Sequence, residues 1–376
     1  MESTDYAVIG AGLAGASTAW HLAARGHEVT VLERTTPANE RGSSHGSARI
    51  FRYAYEDDFY TRLLRRSEDG WAELARLSGR QLITTTGSVD YGAERDPAAL
   101  AAVLEACGIE HELLGADEAR GRWPQIAFDT DILWHPGAGV IDAQETVMAL
   151  VRAAADHGAR LETGWAAQSV VRDGSAFIIT AEDGRRMRAG RVVVAAGGWL
   201  PPLLRALPLP GAFLAAMPRL EVRQEQAYHF PYAGASAEEA AAWPTFIHMR
   251  GRWTAYGLPG GRDAGFRGLK VAEFNGGKVL PSAAEQDGQI DPENRRRVVE
   301  YVREYLPGLV PEPYAETTCL FTNTPTEDFV IDSAEGITVV SPCSGHGAKF
   351  APVIGELAAD LACGAGGVPS QFRVAR

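Results

Sequence analysis

The stretch Tyr6-Ala7-Val8-Ile9-Gly10-Ala11-Gly12-Leu13-Ala14-Gly15 constrains this chain more than any other. Apolar residues run as a strand into a glycine-spaced turn, and Ala16 to Arg25 continues as a helix. Gly26 stops that helix, and a second strand, Glu28 to Leu32, ends in Glu33. Strand, glycine turn, helix, strand and acid in this order describe a dinucleotide-binding unit, which glycine spacing alone would not. Gly10 permits the tight turn, Gly12 lets a pyrophosphate approach the backbone, and Gly15 lets helix and strand pack closely. Free N–H groups at the helix start suit phosphate, and Glu33 suits ribose hydroxyls.

A chain of 376 residues has room for two domains, or for one large domain with an inserted second layer. Its 36 basic and 48 acidic residues give a net charge of −12, which argues against nucleic acid or an anionic membrane as partner. An anionic substrate would need its own local basic residues. The apolar stretch Ala7 to Trp20 is broken by glycines and has no basic leader, so it reads as buried strand and helix, not as a signal peptide. No segment reaches the ~20 apolar residues of a membrane helix. Cys107, Cys319, Cys343 and Cys363 are too scattered for a disulfide framework or a metal site. A reduced, cytoplasmic protein without metal is expected.

After Glu33 a polar connection leads to Gly42-Ser43-Ser44-His45-Gly46-Ser47-Ala48-Arg49-Ile50-Phe51-Arg52, a run able to lie against a ligand with two arginines behind it. Glu56 to Leu77 reads as an amphipathic helix with Leu63, Leu64, Trp71, Leu74 and Leu77 on one face. Strand-like pieces at Gln81–Thr85 and Ser88–Tyr91 precede a helix through Pro97 to Cys107, turn-rich pieces at Trp123-Pro124 and Trp134–Asp142, and a helix from Ala143 to His157. Strands at 167–171, 177–181 and 186–188 lead to the apolar strand from Arg191, which ends in Ala195-Ala196-Gly197-Gly198-Trp199. Short alternating pieces between Arg223 and Glu300 indicate an antiparallel sheet, followed by a helix over Asp291–Leu306 opened by Asp291-Pro292. Last come a strand at Gly336–Val340, the loop Ser344-Gly345-His346-Gly347-Ala348-Lys349-Phe350 and a helix from Ala351 to Cys363. A glycine-spaced loop opening a helix offers N–H groups to negative charge.

Taken together, the Gly10–Gly15 unit with Glu33, the Gly42–Arg52 run, Arg191 to Trp199, Gly268-Leu269-Lys270, Cys319 with Glu327-Asp328-Phe329-Val330-Ile331-Asp332, and Ser344 to Phe350 resemble the flavin-dependent amine oxidases of the D-amino-acid-oxidase superfamily. The similarity is to the group of monomeric sarcosine oxidase and N-methyltryptophan oxidase, and it covers nearly the whole chain. The resemblance implies an α/β fold with an α+β second layer: a Rossmann-like FAD-binding domain and an antiparallel-sheet substrate domain. The expected FAD domain is discontinuous (1–85, 143–220, 320–376), with 86–142 and 221–319 forming the substrate domain. FAD would be held by Gly10, Gly12, Leu13, Ala14, Gly15, Glu33 and Arg34. Ser43, His45, Arg49, Gly345, His346, Gly347 and Lys349 would meet it from the later loops. Cys319 falls where this group bonds the flavin covalently. Arg52 and Lys349 match the pair that grips a substrate carboxylate, Arg49 and His45 lie near the flavin, and Lys270 matches the lysine that promotes reaction with oxygen.

Departures from that group bear on the substrate. Phe321 and Phe274 stand where relatives carry tyrosine and histidine, and Ser44 and Ser47-Ala48 replace a histidine and an Asp-Thr pair. Tyr256 is read as a pocket tyrosine, with Met249 near the other edge. The expected enzyme is therefore a monomeric FAD oxidase of an N-methyl or cyclic amino acid with an apolar side chain, consuming oxygen and forming an imine and hydrogen peroxide. The rival is a flavin-dependent dehydrogenase or desaturase passing electrons to another acceptor. A flavoprotein without turnover is disfavoured, because both Arg52 and Lys349 are present.

Overall fold

The computed structural model describes residues 1–234 and 243–374. The first strand, Glu2–Ile9, lies at the middle of a sheet because Tyr6 to Ile9 are buried on both faces, the pattern of a strand with parallel neighbours. It pairs in parallel with Val29–Leu32 on one side and with Arg186–Val194 on the other. Arg160–Glu162 extends the sheet beyond Val29–Leu32, and the hairpin Ala167–Asp173 and Ala176–Ala181 extends it beyond Arg186–Val194. The two pieces expected at 186–188 and from Arg191 are one continuous strand. Its first half pairs antiparallel with Ala176–Ala181, and its last three residues pair in parallel with Ile337–Ser341.

Helices Leu13–Ala24, Ala143–Asp156 and Ala351–Cys363 pack together over one face, with the long helix Asp58–Ser78 outside them. Two of these helices open on side-chain caps. The Asp57 carboxylate accepts from the Phe59 amide (3.0 Å) and Asp142 from the Glu145 amide (2.9 Å), caps that satisfy donors of a first helical turn. Leu63, Leu64, Trp71 and Leu74 are buried as their spacing requires, but Leu77 is 44% exposed because the helix overhangs the core there.

The second sheet runs in the order Lys278–Leu280, Glu221–Pro231, Gly268–Glu273, Trp253–Pro259, Thr245–Arg250, Ser88–Tyr91, Ile132–His135, Glu112–Leu114. It is antiparallel except where Thr245–Arg250 meets Ser88–Tyr91 in parallel. A further strand, Ala315–Asn323, pairs along Glu221–His229, so the second layer extends to Asn323, past the expected boundary at 319. Helix Pro292–Tyr305 packs on this sheet. The turn-rich piece Trp134–Asp142 holds the end of the strand Ile132–His135 and the whole of the strand Gly139–Ile141. Gly139–Ile141 is the middle of a small sheet between Arg49–Phe51 and Ile83–Thr85. That small sheet carries the chain from the glycine-rich loop to the second layer.

Candidate active site

The glycine turn is held by contacts that exclude any side chain. Gly10 has φ +103°, and a Cβ there would stand 2.5 Å from the Ala195 carbonyl oxygen. At Gly15 a Cβ would stand 1.9 Å from the Gly10 carbonyl oxygen, which places helix and strand in direct backbone contact. Glu33 is buried, and its two carboxylate oxygens accept from the amides of Ala11 (2.8 Å) and Thr35 (3.0 Å). The acid therefore braces the turn as well as facing the cavity beside it, a role its position in sequence does not announce. The Ser44 hydroxyl accepts from the Leu13 amide (3.1 Å) and so docks the second glycine-rich loop on the first helix.

A cavity of about 1320 Å³ opens at this turn and runs between the two layers. That volume exceeds the ~300–1,000 Å³ of an ordinary small-ligand pocket. Its first end is walled by Gly10, Gly12, Glu33, Arg34 and the Ala195–Trp199 segment, and Leu13 and Ala14 lie at the helix start. At its far end stand Arg52, Tyr256, Phe274, Phe321 and Lys349, with Met249 beside them; Ser43, Arg49, Lys270 and Cys319 also line it. An extended dinucleotide fits this donor set: a backbone cradle closed to side chains, a buried acid beside it, and basic groups farther along. Gly15 and His45 do not line the cavity. Gly15 acts through the packing just described. His45 was expected at the flavin, but its Nδ1 bonds the Gly42 carbonyl (2.8 Å), and burial holds it neutral with a pKa pushed down to about 4.

Lys270, Tyr256, Cys319 and Phe321 come from three strands of the second sheet and meet on its cavity face. Lys270 is 5% exposed, and among the described residues its Nζ has only a long contact to the Ala48 carbonyl oxygen (3.4 Å). Burial first, then Arg49, push its pKa down to about 8, against the opposing pull of Cys319 and Asp263. Arg49 donates to the carbonyls of Ser43 (3.2 Å), His45 (2.7 Å) and Ala48 (2.9 Å), which fixes its guanidinium across the glycine-rich loop. Asp263, which the sequence did not single out, accepts from the Ser47 amide (3.2 Å) and hydroxyl and so ties the loop before Lys270 to the same run. The Cys319 thiol is pushed up by burial, while Arg49 and Lys270 act to lower it.

At the far end Arg52 and Lys349 approach the same side chain, Tyr55. The Arg52 guanidinium lies 4.8 Å from the Tyr55 ring centroid, and Lys349 Nζ donates to the Tyr55 hydroxyl oxygen (3.2 Å) and to the His346 carbonyl (3.1 Å). Among the described residues, neither basic group forms an ion pair with a carboxylate. Lys349 is 4% exposed, and burial followed by Arg52 pushes its pKa well below the usual lysine range. The Trp71 indole donates to the Lys349 carbonyl (2.8 Å), so the long helix helps place this lysine. Trp71 was placed on the apolar face of its helix but not at the site, and Tyr55 was not selected at all, because nothing in the pattern separates it from other aromatic residues.

The Gly345–Gly347 loop was expected to present free N–H groups at a helix start. Instead, the His346 and Gly347 amides donate to the Cys343 carbonyl (3.0 and 3.1 Å), a short 3₁₀ turn follows, and the helix begins only at Ala351. Gly345 has another use: the rings of Phe274 and Phe321, 5.7 Å apart, would lie 2.6 and 2.7 Å from a Cβ placed there. These rings form an apolar part of the cavity wall against the loop that carries Lys349.

The family described as FAD dependent oxidoreductase matches residues 5–361 of this chain. The peroxisomal sarcosine oxidase of Homo sapiens is 32% identical, the alignment covering 95% of this chain and 91% of the human protein. The monomeric sarcosine oxidase of Streptomyces avermitilis is 33% identical, over 95% of this chain and 93% of its own. Among solved structures, NikD, described as an unusual amino acid oxidase essential for nikkomycin biosynthesis, superposes with a TM-score of 0.84 at 26% identity, over 100% of this chain and 98% of NikD.

Proposed function

The chain belongs to the FAD dependent oxidoreductase family and is an FAD-dependent oxidoreductase acting on CH–NH groups; on that premise we propose that its substrate is an amino acid with a secondary or cyclic amine and an apolar side chain. Its C–N bond is oxidised to an imine, which water hydrolyses, and oxygen is reduced to hydrogen peroxide. The observation that carries this reading is the basic pair on Tyr55. In a chain of net charge −12, the buried Lys349 and the half-buried Arg52 stand, among the described residues, without a carboxylate, so the ligand supplies one.

Bound FAD would supply the two-electron acceptor. Gly10, Gly12 and Glu33 would hold its adenosine end. Arg52 and Lys349 hold the substrate carboxylate, and Phe274 with Phe321 excludes water from the side chain beyond it. Lys270 would supply a fixed charge where oxygen gains negative charge. An anaerobic screen of N-methyl, cyclic and aromatic amino acids, read by flavin bleaching, tests the proposal. Bleaching is expected with carboxylate-bearing amines; bleaching only by amines without a carboxylate would overturn it.

Attachment of the flavin through Cys319 belongs to the same reading. It is supported by the place of Cys319 on the cavity wall, where Arg49 and Lys270 offset part of the burial that pushes its thiol up. Cys343 also lines the cavity and serves as the control. Acid-precipitated protein is expected to stay yellow, and Cys319→Ala to release the colour into the supernatant, whereas Cys343→Ala retains it. A cytoplasmic, monomeric state completes the proposal; the four cysteines are unpaired, and no helix among the described residues is long and apolar enough to cross a membrane. Analytical ultracentrifugation reads the oligomeric state directly.

A further inference from the structure

The groups around Lys349 form a hydrogen-bond chain whose direction is fixed at every link. The Glu327 carbonyl can only accept, so the His346 Nε2 facing it at 3.0 Å carries the proton. Burial keeps that ring neutral, with a pKa pushed down to about 3, so its Nδ1 has only a lone pair. Tyr55 must then donate to Nδ1 (3.2 Å), and its oxygen must accept from Lys349 Nζ (3.2 Å). The His346 carbonyl, another obligate acceptor, takes a second Nζ proton at 3.1 Å. Two donors are required of Lys349, which an uncharged amine and an ammonium both supply. The uncharged form is favoured because Lys349 is 4% exposed, has no carboxylate partner among the described residues, and places Nζ over the same Tyr55 ring (5.7 Å) as the Arg52 guanidinium (4.8 Å).

Resting on the carboxylate-clamp reading above, we infer that Lys349 stands uncharged in the ligand-free site and accepts the substrate's ammonium proton as the carboxylate docks. An N–H bond breaks at the substrate nitrogen and one forms at Nζ. The substrate becomes the neutral amine whose lone pair C–N oxidation requires, while the lysine gains the charge that holds the carboxylate. No oxidant or external base enters the step. Surrounding charges agree with it. Arg52 opposes a cation at Nζ; Asp90 is engaged by Arg95 at 2.7 Å, the Glu327 carboxyl by the Asn275 side chain, and Glu56 is exposed.

Furan-2-carboxylate, a carboxylate with no basic nitrogen, separates this step from simple binding. Its association with the holoenzyme is followed by the flavin spectrum, and proton exchange by calorimetry in buffers of different ionisation heat. Uptake of about one proton per site is expected near neutral pH. Lys349→Arg, which carries its charge permanently, should bind the probe without uptake, and Lys349→Met should show none either. Binding to the native enzyme with no uptake, or undiminished uptake in both variants, overturns the inference while leaving the clamp intact. Failure of the probe to bind the native enzyme removes the clamp and the inference with it.

Discussion

Lys270→Met is expected to slow reoxidation of the reduced flavin by oxygen by about 10²–10³-fold, the cost of removing one preorganised charge from a developing anion. The rate at which substrate reduces the flavin without oxygen should change little, because the clamp at Arg52 and Lys349 stands apart from Lys270. Stopped-flow absorbance resolves the two half-reactions, and equal slowing of both would remove Lys270 from the oxygen step. The pH dependence gives a second readout. With its pKa pushed down to about 8, Lys270 is charged below that pH and neutral above it. Reoxidation by the native enzyme should therefore fall as pH rises through about 8, while the methionine variant stays flat.

Gly15→Ala is expected to yield protein without bound flavin. The added methyl group would sit 1.9 Å from the Gly10 carbonyl oxygen. Relief requires the first helix to move off the strand, carrying with it the Leu13 amide that Ser44 engages. The cradle would then open at the point where phosphate must be met by backbone donors. The second layer has its own core around Tyr228, Phe246 and Tyr301 and should keep its structure. Flavin-to-protein absorbance measures the loss, and far-ultraviolet circular dichroism shows whether the fold persists. A yellow Gly15→Ala protein would mean that the turn tolerates the displacement.

The glycine turn and the apolar strands around it were legible because they obey strong local rules. Their side chains alternate or are wholly buried, and the backbone of the turn admits only glycine. The Ala315–Asn323 strand escaped notice for the opposite reason: it lies mostly half-exposed along the cavity, and Thr317, Thr318 and Cys319 give it no apolar alternation. Arg52, Lys270 and Lys349 could be selected by likeness to other proteins, but not the groups that orient them. Tyr55, Trp71 and Asp263 act through hydrogen bonds to residues far away in the chain, 294, 278 and 216 positions distant, and such partners leave no local pattern. His45 is a different case. It stands in a loop that touches the ligand space, yet its own ring turns to a carbonyl three residues back.

That half-exposed strand has a consequence for the order of maturation. Cys319 is carried by the second layer, whereas the glycine cradle belongs to the first, and the chain makes the cradle more than two hundred residues before the cysteine. The two line one cavity only after both sheets have formed and docked. A thioether at Cys319 would thus form last, as a seal on a finished molecule, and the fraction of tethered flavin would count correctly assembled chains in any preparation.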